Sequence, residues 1–398
     1  MGHLMKVKSK RFIRFSYIGH SINEIYWFIL PLLLPKILSE FGLSYFMAGG
    51  LLTVYLVMVS LFSFIIGKLS DYLPRWRILI TGFFITAVCF FLAGFTSSLL
   101  FLTLFVSIGA IGVSAFHPIA YALLDETNPD HKGKVFGNFE CWGMAGVFLM
   151  FAFNGILLNF FTWRTVLIIS AIPSLVMGSL SLTTSAPDPP ARTSSAHSSS
   201  ENLSPRLFLP LLLFFLTVVL RIISILGVLN FVPTYLMRDL AIEEHIAAFS
   251  SGIYFLGAII GARIGGKAGD AFGHIKILLG TTLFMAPIIA LIGTVKIWWL
   301  IPFLLLLFGI SASSAAPNQN YILSKLSRGM GRGATFGSLV GILTMTNAFS
   351  PLIFGASADH FGLASTIRLF SLPMALSFLV FAGLYAVGIF KSALAAEE

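Results

Sequence analysis

Residues 45–66, YFMAGGLLTVYLVMVSLFSFII, carry no charged side chain, and residues 67–77, GKLSDYLPRWR, then place four charges in eleven positions before the next apolar run. An uncharged run of that length matches the roughly 20 residues a helix needs to cross the hydrocarbon of a bilayer. The whole chain agrees: of 398 residues 57% are hydrophobic, 14% aromatic and only 10% charged, against roughly 25% charged in soluble proteins. Working outward in both directions, apolar runs and short polar turns alternate twelve times. The spans fall at 13–36, 45–66, 77–97, 99–124, 135–159, 163–184, 207–236, 246–266, 275–295, 298–324, 333–356 and 363–390. Hydrocarbon offers backbone groups no water, so each span is expected to be a helix.

A formal charge of +9 does not mark a nucleic-acid protein, because the basic residues are scattered between apolar runs and form no continuous face. They report orientation instead. Eighteen lie on the side of the N-terminus: Lys6, Lys8, Lys10, Arg11 and Arg14, then Lys68, Arg75, Arg77, Lys132, Lys134, Arg192, Arg206, Lys267, Lys276, Lys325, Arg328, Arg332 and Lys391. The opposite side has five, Lys36, Arg164, Arg238, Lys296 and Arg368, so both termini are expected in the cytoplasm. The first apolar run is longer than a signal-peptide core and lacks a cleavage site, so it is expected to stay as the first span. Cys89 and Cys141 lie in apolar stretches without ligand spacing, which supports neither a disulfide nor a zinc site.

Residues 185–206 are dense in Ser, Pro and Ala with no apolar period and read as a flexible cytoplasmic linker. It divides the chain into 1–184 and 207–398, six spans each. An offset of 200 aligns Gly109 with Gly309, Ser114 with Ser314, Tyr121 with Tyr321, Gly133 with Gly333, Phe136 and Gly137 with Phe336 and Gly337, and Gly155 with Gly355. Nine of the 47 positions from 109 to 155 match, where roughly four are expected by chance. An offset of 199 aligns Gly67, Lys68 and Asp71 with Gly266, Lys267 and Asp270. The fold read from the sequence is an all-α membrane protein of twelve transmembrane helices in two pseudo-symmetric six-helix halves.

The stretch Gly67–Arg77 resembles the signature loop of the major facilitator superfamily, Gly-x-Leu-Ala/Ser-Asp-x-x-Gly-Arg-Arg/Lys, with Pro74 in place of the usual Gly and Trp76 in place of one base. The second-half copy, Gly266 to Lys276, keeps Asp270 and one base. That resemblance implies that Gly67, Asp71, Arg75, Arg77 and Asp270 help to latch one conformational state, alongside the orienting role that Arg75 and Arg77 have in any case. A finer resemblance lies in Gly19-His20-Ser-Ile-Asn23-Glu24-Ile-Tyr26 and Ala115-Phe116-His117-Pro118. These are similar to the fosmidomycin-resistance branch, which implies a bacterial inner-membrane exporter exchanging drug for protons. Span five has Gly143 and Gly146 but not the Gly-Pro that ends this span in antiporters.

An ionisable side chain inside a span costs several kcal/mol unless it meets a partner or a cavity, so such residues are the sharpest functional signal. They are His20, Glu24, His117, Glu140, Arg221 and Arg263. Offset 200 places Leu220, Ser224, Pro317 and Val340 opposite the first four, so duplication of the fold does not require them. His20 and Glu24 are four apart and share a helix face with Asn23. Glu24 lies about 15 Å into span one and Arg221 about 21 Å into span seven. Both are near the midplane, and the resemblance to the superfamily, in which spans one and seven line the central cavity, implies that the two approach across it, as a substrate and proton site or as a self-neutralising ion pair. His117 and Glu140 lie about 10 Å and 8 Å from the inner ends of adjacent spans. Direct contact is expected there, serving as a proton shuttle or as a hydrogen bond locking two helices. Arg263, four residues from Lys267, is expected to snorkel. Asn318, Gln319, Asn320 and Asn347 add neutral donors and acceptors in the second half.

A monomeric secondary transporter is the leading reading, moving a small organic compound, with anions among the candidates, through the lipid bilayer with protons as partner and no cofactor. A metal-ion carrier uses the same side chains, and requires three or four of His20, Glu24, His117 and Glu140 around one point. An intramembrane enzyme has no His-Glu-x-x-His helix, Gly-x-Ser-x-Gly elbow or cofactor loop to rest on. A receptor that does not transport stays open at this point, because a fold does not fix a function.

Overall fold

A computed structural model describes residues 2–127, 132–183, 205–326 and 334–388, and among these every regular element is a helix. In chain order they are α1 (Gly2–Phe41), α2 (Tyr45–Leu69), α3 (Arg75–Ala93), α4 (Leu99–Ser114), α5 (Phe116–Thr127), α6 (Lys132–Leu158) and α7 (Trp163–Thr183). The second half has α8 (Pro205–Arg238), α9 (Glu244–Phe272), α10 (His274–Ile292), α11 (Leu300–Leu326), α12 (Ala334–Phe361), α13 (Leu363–Leu369) and α14 (Ser371–Ala386). Among the described residues eleven stretches are long and apolar enough to cross a membrane, and α12 supplies a helix of 28 residues where the eleventh span was expected. Residues 184–204, the bulk of the expected linker, lie outside the described residues, and residues 205 and 206 open α8 instead of ending the linker.

Two spans are broken, and proline explains both. Pro118 has no N–H to give the carbonyl of Ser114 four residues before it, and that carbonyl accepts from the Ser63 hydroxyl at 3.3 Å. The chain kinks at Ala115, whose own N–H reaches back only three residues, to Gly112. The last span likewise divides at Phe370, three residues ahead of Pro373. The signature segment is shorter as a loop than its sequence suggested. Gly67 belongs to α2, and Gly266 and Asp270 belong to α9, because those helices run on past the hydrocarbon-length cores.

Helices within a half pack through small residues. On α9, Gly257, Gly261 and Gly265 recur every four positions and face Leu306, Ile310 and Ser314 of α11 so closely that a Cβ would strike main-chain atoms. Glycine is what permits that approach where lipid supplies no hydrophobic drive between helices. The two halves meet along α1 with α8, α2 with α12 and α6 with α9. A ring of exposed apolar side chains, among them Phe64, Leu100, Leu149 and Phe284, covers the outside. Such a belt has no place in water and fits contact with lipid.

Candidate functional site

His20, Asn23 and Glu24 do share one face of α1, and the kinked fourth span delivers His117 to it. Glu24 Oε1 lies 3.4 Å from His20 Nε2 and 3.1 Å from His117 Nε2, and the two imidazole Nε2 atoms are 3.1 Å apart. The three side chains are 9%, 1% and 22% exposed respectively. Asn23 anchors the arrangement by donating from Nδ2 to the carbonyl of Val113, just before the kink, at 3.0 Å. Trp27 closes the group, its ring edge-on to His117 at 5.9 Å.

His20 is held from behind. Its Nδ1 donates to the carbonyl of Phe139 at 2.7 Å, and its ring stacks on the Phe139 ring at 3.8 Å. A carbonyl can only accept, so Nδ1 carries the proton and Nε2 of a neutral His20 presents a lone pair to Glu24 and His117. With Glu24 ionised and both imidazoles neutral, at most one N–H serves three mutual contacts, and the His20–Glu24 edge sets lone pair against lone pair. Adding a proton to His20 Nε2 relieves that edge and strains the one between the imidazoles. Each of these two protonation states leaves one edge unsatisfied.

Gly143 makes room for this ring. A Cβ at that position would stand 2.6–2.9 Å from three His20 ring atoms, closer than real contacts allow. Gly143→Ala should push His20 off the Phe139 carbonyl; overpacking of this kind costs about 1–3 kcal/mol, and transport should fall roughly tenfold. Wild-type transport by this variant in proteoliposomes would remove His20 from the machinery.

The expected His117–Glu140 contact does not form. The kink turns His117 toward α1, and Tyr121, one helical turn further along α5, donates its hydroxyl to Glu140 instead. Glu24 and Arg221 do not meet either. Arg221 faces into its own half, where Nη2 donates to Gln319 and Nε finds no partner among the described residues. Beside it lies a cavity of about 10 Å³ lined by Thr217, Thr282 and Ser377, room for about one water. The hydroxyls there donate to the carbonyls of Phe214, Leu278 and Thr217. Competition between Glu24 and a substrate for one arginine therefore has no geometric basis in this arrangement.

Asn318 is fully spent on packing: Nδ2 donates to Gly265 and Ser314 carbonyls at 3.0 and 2.8 Å, and Oδ1 meets His274 Nδ1 at 2.8 Å. Asn347 is half-buried on α12 with Oδ1 unbonded. Of the four residues that a metal carrier was expected to use, His20, Glu24 and His117 bring ligand atoms within 4.8 Å of one another, and Glu140 is not among them. In the signature segment Arg75 forks onto both oxygens of Glu126 at 2.9 Å, tying α3 to the end of α5. Asp71 and Arg77 are exposed, and Asp270 pairs with His274 one turn along at 3.5 Å. These contacts stay within each half; residues 327–333 lie outside the described residues. Tyr121 and Gly143 were not singled out for this site by sequence, although the four-residue step from His117 to Tyr121 was there to find.

The model of the Major Facilitator Superfamily matches residues 16–235 and again 213–395. Among curated proteins the chain is 26% identical over 361 residues to an uncharacterized MFS-type transporter, YceJ, of Bacillus subtilis, covering 85% of this chain and 91% of that one. It is 28% identical to the multidrug resistance protein MdtG of Proteus mirabilis, over 84% and 85% of the two chains. With the tetracycline resistance protein, class H, of Pasteurella multocida it shares 24% identity over 82% of each. In fold it is similar to a bacterial homolog of the human lysosomal transporter Spinster, solved in an inward-facing and occupied conformation, with a TM-score of 0.80 at 15% identity over 96% of this chain and 97% of that one. With the matches spanning both halves, the chain belongs to the Major Facilitator Superfamily and is a multi-pass membrane protein of secondary transport.

Proposed function

We propose that the chain exports a small organic compound across the bacterial inner membrane by alternating access, in exchange for protons carried by His20, Glu24 and His117. The observation that carries this reading is the buried triad, whose three mutual contacts are not all satisfied in either protonation state. Export is supported by the multidrug and tetracycline resistance proteins among the relatives, and by the resemblance of Gly19–Tyr26 and Ala115–Pro118 to the fosmidomycin-resistance branch. The protein works as a monomer, with Asn347 facing substrate from the second half.

The deciding experiment uses purified protein in proteoliposomes. A screen of labelled compounds by counterflow identifies the substrate, and an imposed pH gradient should then drive its accumulation. Counterflow without any response to pH would refute proton coupling. Accumulation of zinc in the same vesicles, the outcome expected of a metal carrier, would refute the organic substrate.

The eighteen-to-five basic asymmetry supports a cytoplasmic location for both termini. Tyr72 and Ser97 are exposed at opposite ends of α2–α4. Tyr72→Cys should react with impermeant maleimide only from the cytoplasmic side, and Ser97→Cys only from outside. The reverse pattern would invert the topology and with it the direction of transport.

A further inference from the structure

At the end of the bundle away from the chain termini, polar contacts cross from each half to the other. Asp359, near the end of α12, accepts from the backbone N–H of Tyr45 at 2.8 Å with Oδ1 and of Phe46 at 3.0 Å with Oδ2. These are the first N–H groups of α2, which have no acceptor within the helix. The next, of Met47, is taken by the Ser44 hydroxyl at 3.2 Å, so Asp359 completes the cap. One turn before it, Gly355 brings the backbones together: a Cβ there would stand 2.8 Å from the Tyr45 carbonyl carbon and 3.2 Å from Phe46 Cα.

The internal repeat supplies a counterpart. Offset 200 carries Gly355 and Asp359 onto Gly155 and Asn159, and offset 199 carries Tyr45 and Phe46 onto Glu244 and His245. Asn159 Oδ1 lies 3.2 Å from His245 Nδ1, and a Cβ on Gly155 would stand 3.4 Å from the His245 carbonyl oxygen. Glu244 in turn pairs with Lys36 at the end of α1. Thus the fifth span of each half, α6 or α12, reaches the start of the second span of the other, α9 or α2. The two contacts differ in charge: a carboxylate on bare amides at one, a carboxamide on an imidazole at the other. Glu243 and Glu244 beside His245 account for the difference, since a carboxylate at position 159 would be repelled there.

We propose that Asp359 on α2 and Asn159 on α9 form a pair of exchanged latches that hold this end of the transporter shut, with Asp359 carrying the larger share. For one half to rock away from the other, the two amides of α2 must give up an anion that the helix N-terminus favours. The inference requires neither the identity of the substrate nor proton coupling.

Spin labels at Ser97→Cys and Lys296→Cys, exposed turns of the two halves, report the opening in full-length protein that lacks Cys89 and Cys141. In lipid nanodiscs without substrate, Asp359→Ala should move the pulsed-EPR distance distribution outward, with a roughly tenfold change in the closed-to-open ratio, as expected for losing a charged cap. Asn159→Ala should shift it in the same direction by less. Asp359→Asn, which retains one acceptor and loses the charge, should fall between wild type and Asp359→Ala, and it supports the same conclusion if the alanine variant does not fold. An unchanged distribution in Asp359→Asn and Asp359→Ala, or a larger shift from Asn159→Ala, would overturn the assignment.

Discussion

Glu24→Gln is expected to keep substrate exchange and lose accumulation driven by pH. Glutamine has the shape of the carboxylate and offers an N–H to the lone pair that His20 turns toward it, so the triad stays together while its one acidic member no longer titrates. A proton exchanged one-for-one down a gradient of one pH unit carries about 1.36 kcal/mol, which sustains roughly a tenfold concentration ratio of substrate. In the variant that ratio should fall to about one in proteoliposomes, with counterflow near the wild-type rate. Glu24→Ala should do worse, losing counterflow as well, because both imidazoles are left facing a gap. If Glu24→Gln still concentrates substrate, the proton travels elsewhere, and Glu140 with its Tyr121 hydroxyl becomes the carrier to test.

The contrast between Glu24 and Arg221 shows what a sequence of this kind makes legible. Depth along a span follows from counting residues at a fixed rise per residue, and that count alone puts both groups near the midplane. Azimuth does not follow, because every face of these helices is apolar enough to be buried. Arg221 turned out to point at Gln319 inside its own half, away from Glu24. The same limit applies to His117. Its proline neighbour was visible, but the direction of the kink depends on Ser63 taking the freed carbonyl of Ser114, a contact between residues 51 positions apart. By contrast the helical spans were readable because hydrocarbon thickness and backbone satisfaction impose them on any sequence, and the family loop because its residues stand together in Gly67–Arg77. The pairing of residue 159 with 245 and of 359 with 45 was latent in the repeat. It needed the structure to show that the partners were exchanged between halves.

Pro118→Ala tests whether the kink builds the site. Alanine restores the N–H that proline lacks, so the carbonyl of Ser114 regains a partner four residues on and the Ser63 hydroxyl is no longer needed there. The fourth and fifth helices should then merge into one straight span, whose local stability rises, since an interior proline costs a helix about 3 kcal/mol. That gain comes at the site: straightening carries His117 away from Glu24 and His20, and Asn23 loses its position against the carbonyl of Val113. Transport should drop by at least an order of magnitude, a scale of loss that a 1 Å misplacement can produce, while thermal stability in detergent stays equal or rises. That combination separates a positioning role from simple misfolding, which would lower both. A variant with unchanged transport would show that the triad tolerates a straight helix, and the case for His117 as a member of the proton site would fall with it.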